Sequence, residues 1–104
     1  MAIMMRTIQH VRPGRWNEAM ELEKRWDAYE RRTGGRSPKR RYQSMVGSED
    51  QNTFVEEREW ESLAAVEASY LSLVADPDPE AVELRSKLDE VYSSIQHEIY
   101  LVLP

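Results

Sequence analysis

The chain has 104 residues, a net charge of −5 and no cysteine. That length suits one domain, and the missing thiols exclude disulfide scaffolds, thiolate zinc sites, iron–sulfur clusters and cysteine nucleophiles. No apolar run approaches the ~18 residues of a membrane span, and Arg6 interrupts the apolar start MAIMMR too early for a signal-peptide core, so the expected location is cytoplasmic.

Residues 2–11 (AIMMRTIQHV) read as a strand, with Ile3, Met5 and Val11 pointing one way and Met4, Arg6, Ile8 and His10 the other. Pro13-Gly14 turns the chain. Residues 15–32 read as a helix whose apolar face carries Trp16, Ala19, Met20, Trp26 and Tyr29. Arg31 and Arg32 suit the negative end of its dipole, Gly34-Gly35 ends it, and Ser37-Pro38 keeps the next stretch extended.

A strand over 40–47 (RRYQSMVG), a polar turn and a strand over 53–60 (TFVEEREW) make a hairpin. Phe54, Glu56, Arg58 and Trp60 share one face of the second strand, while Val55, Glu57 and Glu59 share the other. Residues 62–75 give a helix with a stripe of Leu63, Val66, Tyr70, Leu73 and Val74. Asp76-Pro77-Asp78-Pro79 breaks it. Asp78 as N-cap and Pro79 as first helical residue start a third helix over 79–93, its stripe being Val82 or Leu84, then Leu88, Val91 and Tyr92. Residues 96–103 (QHEIYLVL) form the last strand.

The order β-α-β-β-α-α-β, with the later helices counted as one crossover, is the ferredoxin-like βαββαβ sandwich: one α+β domain over 1–104 with a four-stranded antiparallel sheet. Helices cover one sheet face only. The first and last strands are nonetheless apolar on both faces: Ile3 and Met5 against Met4 and Ile8, Ile99 and Leu101 against Tyr100 and Val102. A sheet with one wet face alternates apolar with polar, and an uncovered apolar face is an association site. The economical cover is a second copy, so the expected partner is the chain itself, as a homodimer.

Three stretches are similar to a known family. Met5-Arg6-Thr7-Ile8 with Val11-Arg12-Pro13-Gly14-Arg15-Trp16 resembles its opening strand and Pro-Gly turn. Arg58-Glu59-Trp60-Glu61-Ser62-Leu63-Ala64 resembles its aromatic-x-Ser-Leu start of the second helix, and Asp76 to Glu80 its break before a short third helix. The family is the dimeric α/β-barrel superfamily, in its NIPSNAP-like and antibiotic-biosynthesis-monooxygenase-like branches. The resemblance implies two sheets packed face to face into a barrel, with ligands between sheet and helices or within the barrel. It departs at Met4, Ile8 and Arg58, and no histidine stands between 61 and 75 where haem-degrading relatives carry one.

The ligand-binding candidates are Arg6, His10, Tyr42, Glu56, Arg58, Trp60 and Tyr100; no catalytic residue is assigned. Arg6, Glu56 and Arg58 are expected together on the face away from the helices, as an Arg–Glu network or as a clamp on a carboxylate or enolate. His10 and His97 are too far apart in sequence to signal a metal, and no cofactor is expected. The Trp and Tyr residues are expected mostly in the core, with Trp60 able to line a flat pocket.

The charge is uneven: residues 1–45 carry 11 basic and 5 acidic side chains, residues 46–104 carry 3 and 14. Its basic peak, Arg31, Arg32, Arg36, Lys39, Arg40 and Arg41, reads as a solvated helix end and strand start or as an anion- or partner-binding rim. The acidic strand TFVEEREW lacks the aromatic and basic pattern that stacks RNA bases, so neither nucleic acid nor membrane is an expected partner. The function that fits is binding of a small organic ligand without a cofactor. The alternative is a cofactor-independent monooxygenase or isomerase on an aromatic or polyketide-like substrate.

Overall fold

Strand β1 (Ile3–Val11) leads into helix α1 (Trp16–Thr33), and strands β2 (Lys39–Gln43) and β3 (Thr53–Trp60) form a hairpin. Helices α2 (Leu63–Ala75), α3 (Pro79–Ser86) and α4 (Leu88–Val91) then cross to strand β4 (Tyr92–Leu101). This is a computed structural model, and it describes residues 2–34 and 38–104. The sheet is antiparallel in the order β2-β3-β1-β4, so the first and last strands are neighbours as the βαββαβ pattern requires.

The helix ends follow from local chemistry. Ser62 accepts from the Ala65 amide at 3.1 Å and caps α2. Asp78 accepts from the Glu80 amide at 2.9 Å and caps α3, with Pro79 in its first turn. Gly34 ends α1 at φ 70°, its amide donating to the Glu30 carbonyl. Among the described residues no helix is long and apolar enough to cross a membrane.

The core lies between the sheet and α1, α3 and α4. Ala19, Leu22, Trp26 and Tyr29 of α1 meet Ala81, Leu84 and Val91, over Val11, Phe54 and Tyr92 of the sheet. Phe54 stands edge-on to Trp16 at 6.2 Å and to Tyr92 at 5.8 Å. Full burial of a side chain such as Phe54 or Leu84 contributes about 1.5–3 kcal/mol. These helices are therefore held firmly, whereas α2 buries no residue.

Four expectations are corrected. Strand β2 stops at Gln43, because Ser44 already turns: its hydroxyl donates to the Glu49 carbonyl, and Met45 and Val46 stand 82% and 97% exposed. The third helix does not run to 93. It breaks at Lys87, and β4 begins at Tyr92, where pairing with Val11 and the ring contact with Phe54 outweigh helical continuation. The α2 stripe is turned outward: Leu63, Tyr70 and Val74 are exposed, and of that stripe Leu73 packs on the core. Tyr42, Tyr70 and Tyr100 are likewise surface residues rather than core. Gly35, Arg36 and Ser37, part of the expected loop, lie outside the described residues.

Candidate functional site

Strand parity assigns each candidate to a face. Met5 stands opposite Arg58 and Thr7 opposite Glu56, while Arg6 stands opposite Glu57. Residues paired across a strand project to the same side. Arg58, Glu56 and Trp60 therefore lie under the helices with Met5, and Arg6 lies on the open face with His10, Tyr42 and Tyr100. The expected joint site of Arg6, Glu56 and Arg58 does not exist: a one-residue offset puts Arg6 on the other side of the sheet.

Under α1 the structure builds an ion network. Arg58, 4% exposed, donates to both Glu30 oxygens at 2.9 and 3.1 Å, and its Nη2 lies 3.6 Å from Glu56. Lys39 reaches Asp27 at 2.8 Å and Glu30 at 3.1 Å, and Arg41 reaches Asp27, Glu23 and Glu56 at 2.9, 3.0 and 3.3 Å. The Tyr92 hydroxyl donates to Glu23 at 2.6 Å. Glu23, Asp27 and Glu30 recur at spacings of four and three, so one face of α1 presents carboxylates to the basic alternation Lys39, Arg41 of β2.

Burial raises the Glu23 carboxyl above its ordinary range, against the Tyr92 hydrogen bond and the Arg41 charge. Burial works in the same direction on Asp27, but hydrogen bonds from Arg41 and Lys39 overcome it and hold this carboxyl at about 2. Burial and the Glu23 charge push the Tyr92 phenol up. Arg32 pairs with Asp78 at 2.8 Å. Arg32, Lys39 and Arg41 of the basic peak are thus internal partners, which argues against a free anion-binding rim there.

On the open face Arg6 donates to Glu57 at 3.1 Å, lies 3.9 Å from Glu98 and sits over the Tyr100 ring at 5.4 Å. His10 bridges Glu49 and Ser94, each at 2.6 Å. Around these charges lie Met4, Ile8 and Val55, half-buried, and Tyr42, Tyr100 and Val102, exposed.

A cleft of about 680 Å³ opens between the end of α1, the end of β3 and the inner side of α2. Its walls include Tyr29, Glu59, Trp60, Glu61, Ser69 and Asp76, and the Tyr29 hydroxyl donates to the Asp76 carboxylate. Of the seven candidates, Trp60 alone lines it. Tyr29 was expected as a core stripe residue and Asp76 as a helix breaker, and neither role signals a cleft. No group of three or more potential metal ligands occurs among the described residues.

No protein-family model matches the chain, and no curated protein matches it. Solved structures do. A NIPSNAP-like domain protein from Burkholderia xenovorans superposes with a TM-score of 0.78 at 23% identity, over 98% of this chain and 85% of that one. A NIPSNAP family protein from Agrobacterium tumefaciens gives 0.82 at 16%, over 99% and 94%.

The chain has the NIPSNAP-like fold. SnoaB, a cofactor-independent oxygenase from Streptomyces nogalater, shares it with a TM-score of 0.70 at 14% identity, over 99% of this chain and 94% of that one. Within this NIPSNAP-like frame the α1 network occupies the space beneath the first helix, and the cleft lies beside it, under the second.

Proposed function

We propose that the chain works as a cofactor-free homodimer that binds a small organic ligand. The open sheet faces of two copies pair into a closed barrel, and each copy keeps its own cleft between sheet and helices. The observation that carries the pairing is the open face itself. Tyr42, Tyr100 and Val102 are 45%, 42% and 42% exposed there beside Met4, Ile8 and Val55, with no helix over them. Burying such a face is worth about 25 cal/mol per Å² of apolar area, and Arg6 enters already paired with Glu57 and Glu98, which limits the cost of desolvating it. The fold shared with NIPSNAP-like proteins supports the same reading.

The cleft supports the ligand. Its volume falls within the ~300–1,000 Å³ of small-molecule sites, and aromatic walls stand beside a few polar groups. Native mass spectrometry after incubation with a panel of small aromatic compounds tests it. Retention of one compound per protomer, lost on Trp60→Ala with the fold intact, is the expected result; no retention of any compound sinks the ligand reading.

One observation favours a catalytic form of this reading, a monooxygenase or isomerase. Tyr29 holds the Asp76 carboxylate inside the cleft. An anionic oxygen beside a bound substrate is a candidate proton acceptor. Substrate-dependent oxygen uptake or double-bond migration, abolished by Asp76→Asn, identifies the enzyme; neither with a compound that demonstrably binds leaves a binding protein.

A further inference from the structure

Trp60 in the cleft wall and its neighbour Arg58, just outside it, each hold a donor that finds no acceptor among the described residues. These donors, Trp60 Nε1 and Arg58 Nη1, are both shielded from solvent and have no hydrogen-bond partner among the described residues. They are neighbours: the Arg58 guanidinium carbon lies 5.8 Å from the Trp60 ring centre, and Arg58 is 4% exposed. Buried donors are rarely left unmade, because each loses its water without a replacement. An acceptor atom from a ligand supplies that replacement.

The walls restrict which acceptor. Glu59, Glu61 and Asp76 line the cleft, and no Lys or Arg does among the described residues. A carboxylate or phenolate entering there meets the like charges of Glu61 and Asp76, the Glu59 side chain being turned to the open face with Met4. A carbonyl oxygen satisfies the Trp60 donor without that repulsion.

Reaching it requires movement, and one wall is built to move. Helix α2 supplies Ala65, Ala68, Ser69 and Ser72 to the cleft yet has no buried residue. Its far end is tied by Arg85, which donates to the carbonyls of Leu73 and Asp76 at 2.6 and 3.3 Å, and by Leu73 on the core. An element with so little burial opens at low local cost.

We infer that the cleft takes an uncharged ligand bearing a carbonyl-type acceptor, and that α2 is the cover that shifts to let this acceptor reach Trp60 Nε1. This rests on the proposed ligand-binding role of the cleft and adds the ligand's class and its way in. It differs from the clamp on a carboxylate or enolate expected at Arg6, Glu56 and Arg58.

Naphthamide, naphthoate and naphthylmethylamine share one shape and differ in charge. Nitrogen-labelled protein shows three indole resonances, one for each Trp, and Trp60→Phe identifies that of Trp60. Titration with naphthamide moves this resonance downfield, and naphthamide binds about three- to tenfold tighter than naphthoate, which the acidic walls repel. Trp60→Phe weakens naphthamide binding about three- to tenfold, the worth of roughly one net hydrogen bond. Hydrogen exchange shows α2 amides exchanging ahead of those of α1 in the free protein.

Equal or tighter binding of naphthoate or the amine overturns the ligand class while leaving the cleft as a site. So does naphthamide binding that leaves the Trp60 indole unmoved. Exchange in α2 as slow as in α1 overturns the cover. Binding of none of the three overturns the cleft reading and this inference with it.

Discussion

Replacing Arg58 by methionine isolates the charge at the centre of the ion network, since the volume is nearly kept and the guanidinium is lost. Arg58 is 4% exposed and makes two hydrogen bonds to Glu30, whose side chain is 16% exposed. Breaking a buried pair from one side costs about 3–5 kcal/mol, most of it the penalty of the stranded charge. Here the stranded charge is not alone: Lys39 stays 3.1 Å from Glu30, and Arg41 stays 3.3 Å from Glu56. The expected cost therefore falls below that range, at about 2–3 kcal/mol. The double variant Arg58→Met with Glu30→Met removes both partners, and its cost is smaller than the sum of the single variants, with a coupling of about 1–3 kcal/mol. Urea unfolding at one fixed protein concentration, which holds any association constant between variants, gives all four corners of the cycle. A single Arg58→Met cost below about 0.5 kcal/mol, the size of an ordinary surface change, refutes a structural network beneath α1.

Further outcomes follow from the same contacts. Tyr92→Phe removes the 2.6 Å bond to buried Glu23 and costs about 1.5–3 kcal/mol in thermal or urea unfolding, the usual worth of a bond to a charged group. The Asp27 carboxyl sits at about 2 in the fold against about 3.9 unfolded. Its stabilisation is present above pH ~4 and is lost as pH falls from there toward ~2, on the order of 2 kcal/mol. Asp27→Asn flattens that limb of the stability–pH curve; an unchanged slope contradicts the pairing with Arg41 and Lys39. Glu23, raised by burial, acts in the opposite sense. Its protonated form is favoured in the fold, so its contribution falls as pH rises from about 4 through its folded value, and Glu23→Gln removes that decline.

The element order was legible because the periodicities are strong. Ile3, Met5 and Val11 alternate with Met4, Arg6, Ile8 and His10, and the structure keeps that parity. Asp78-Pro79 marked the α3 start through cap chemistry alone. What failed was coupling between elements. The split of β3 into Phe54, Glu56, Arg58, Trp60 and Val55, Glu57, Glu59 was right, but which set faces the helices depends on its register with β1, and Arg58 was expected on the open face beside Arg6. The counter-signal stood on α1: Glu23, Asp27 and Glu30 form a carboxylate stripe at helical spacing, the complement of Lys39, Arg41 and Arg58 at strand spacing. Charges on a buried face are rare enough that neither stripe was weighed as core. Helix α2 misled for the opposite reason: its apolar stripe is clear, but the sheet is already covered by α1 and α3.

Association depends on what covers the open sheet face. Sedimentation equilibrium at micromolar concentration, on the wild type and on Ile8→Lys, measures it directly, because Ile8 lies on that face next to Val55 and a lysine there buries an unpaired charge only if the faces meet. Paired faces give twice the 12.2 kDa chain mass for the wild type and a folded monomer for Ile8→Lys. A wild-type monomer, or an Ile8→Lys protein that stays dimeric, contradicts the pairing.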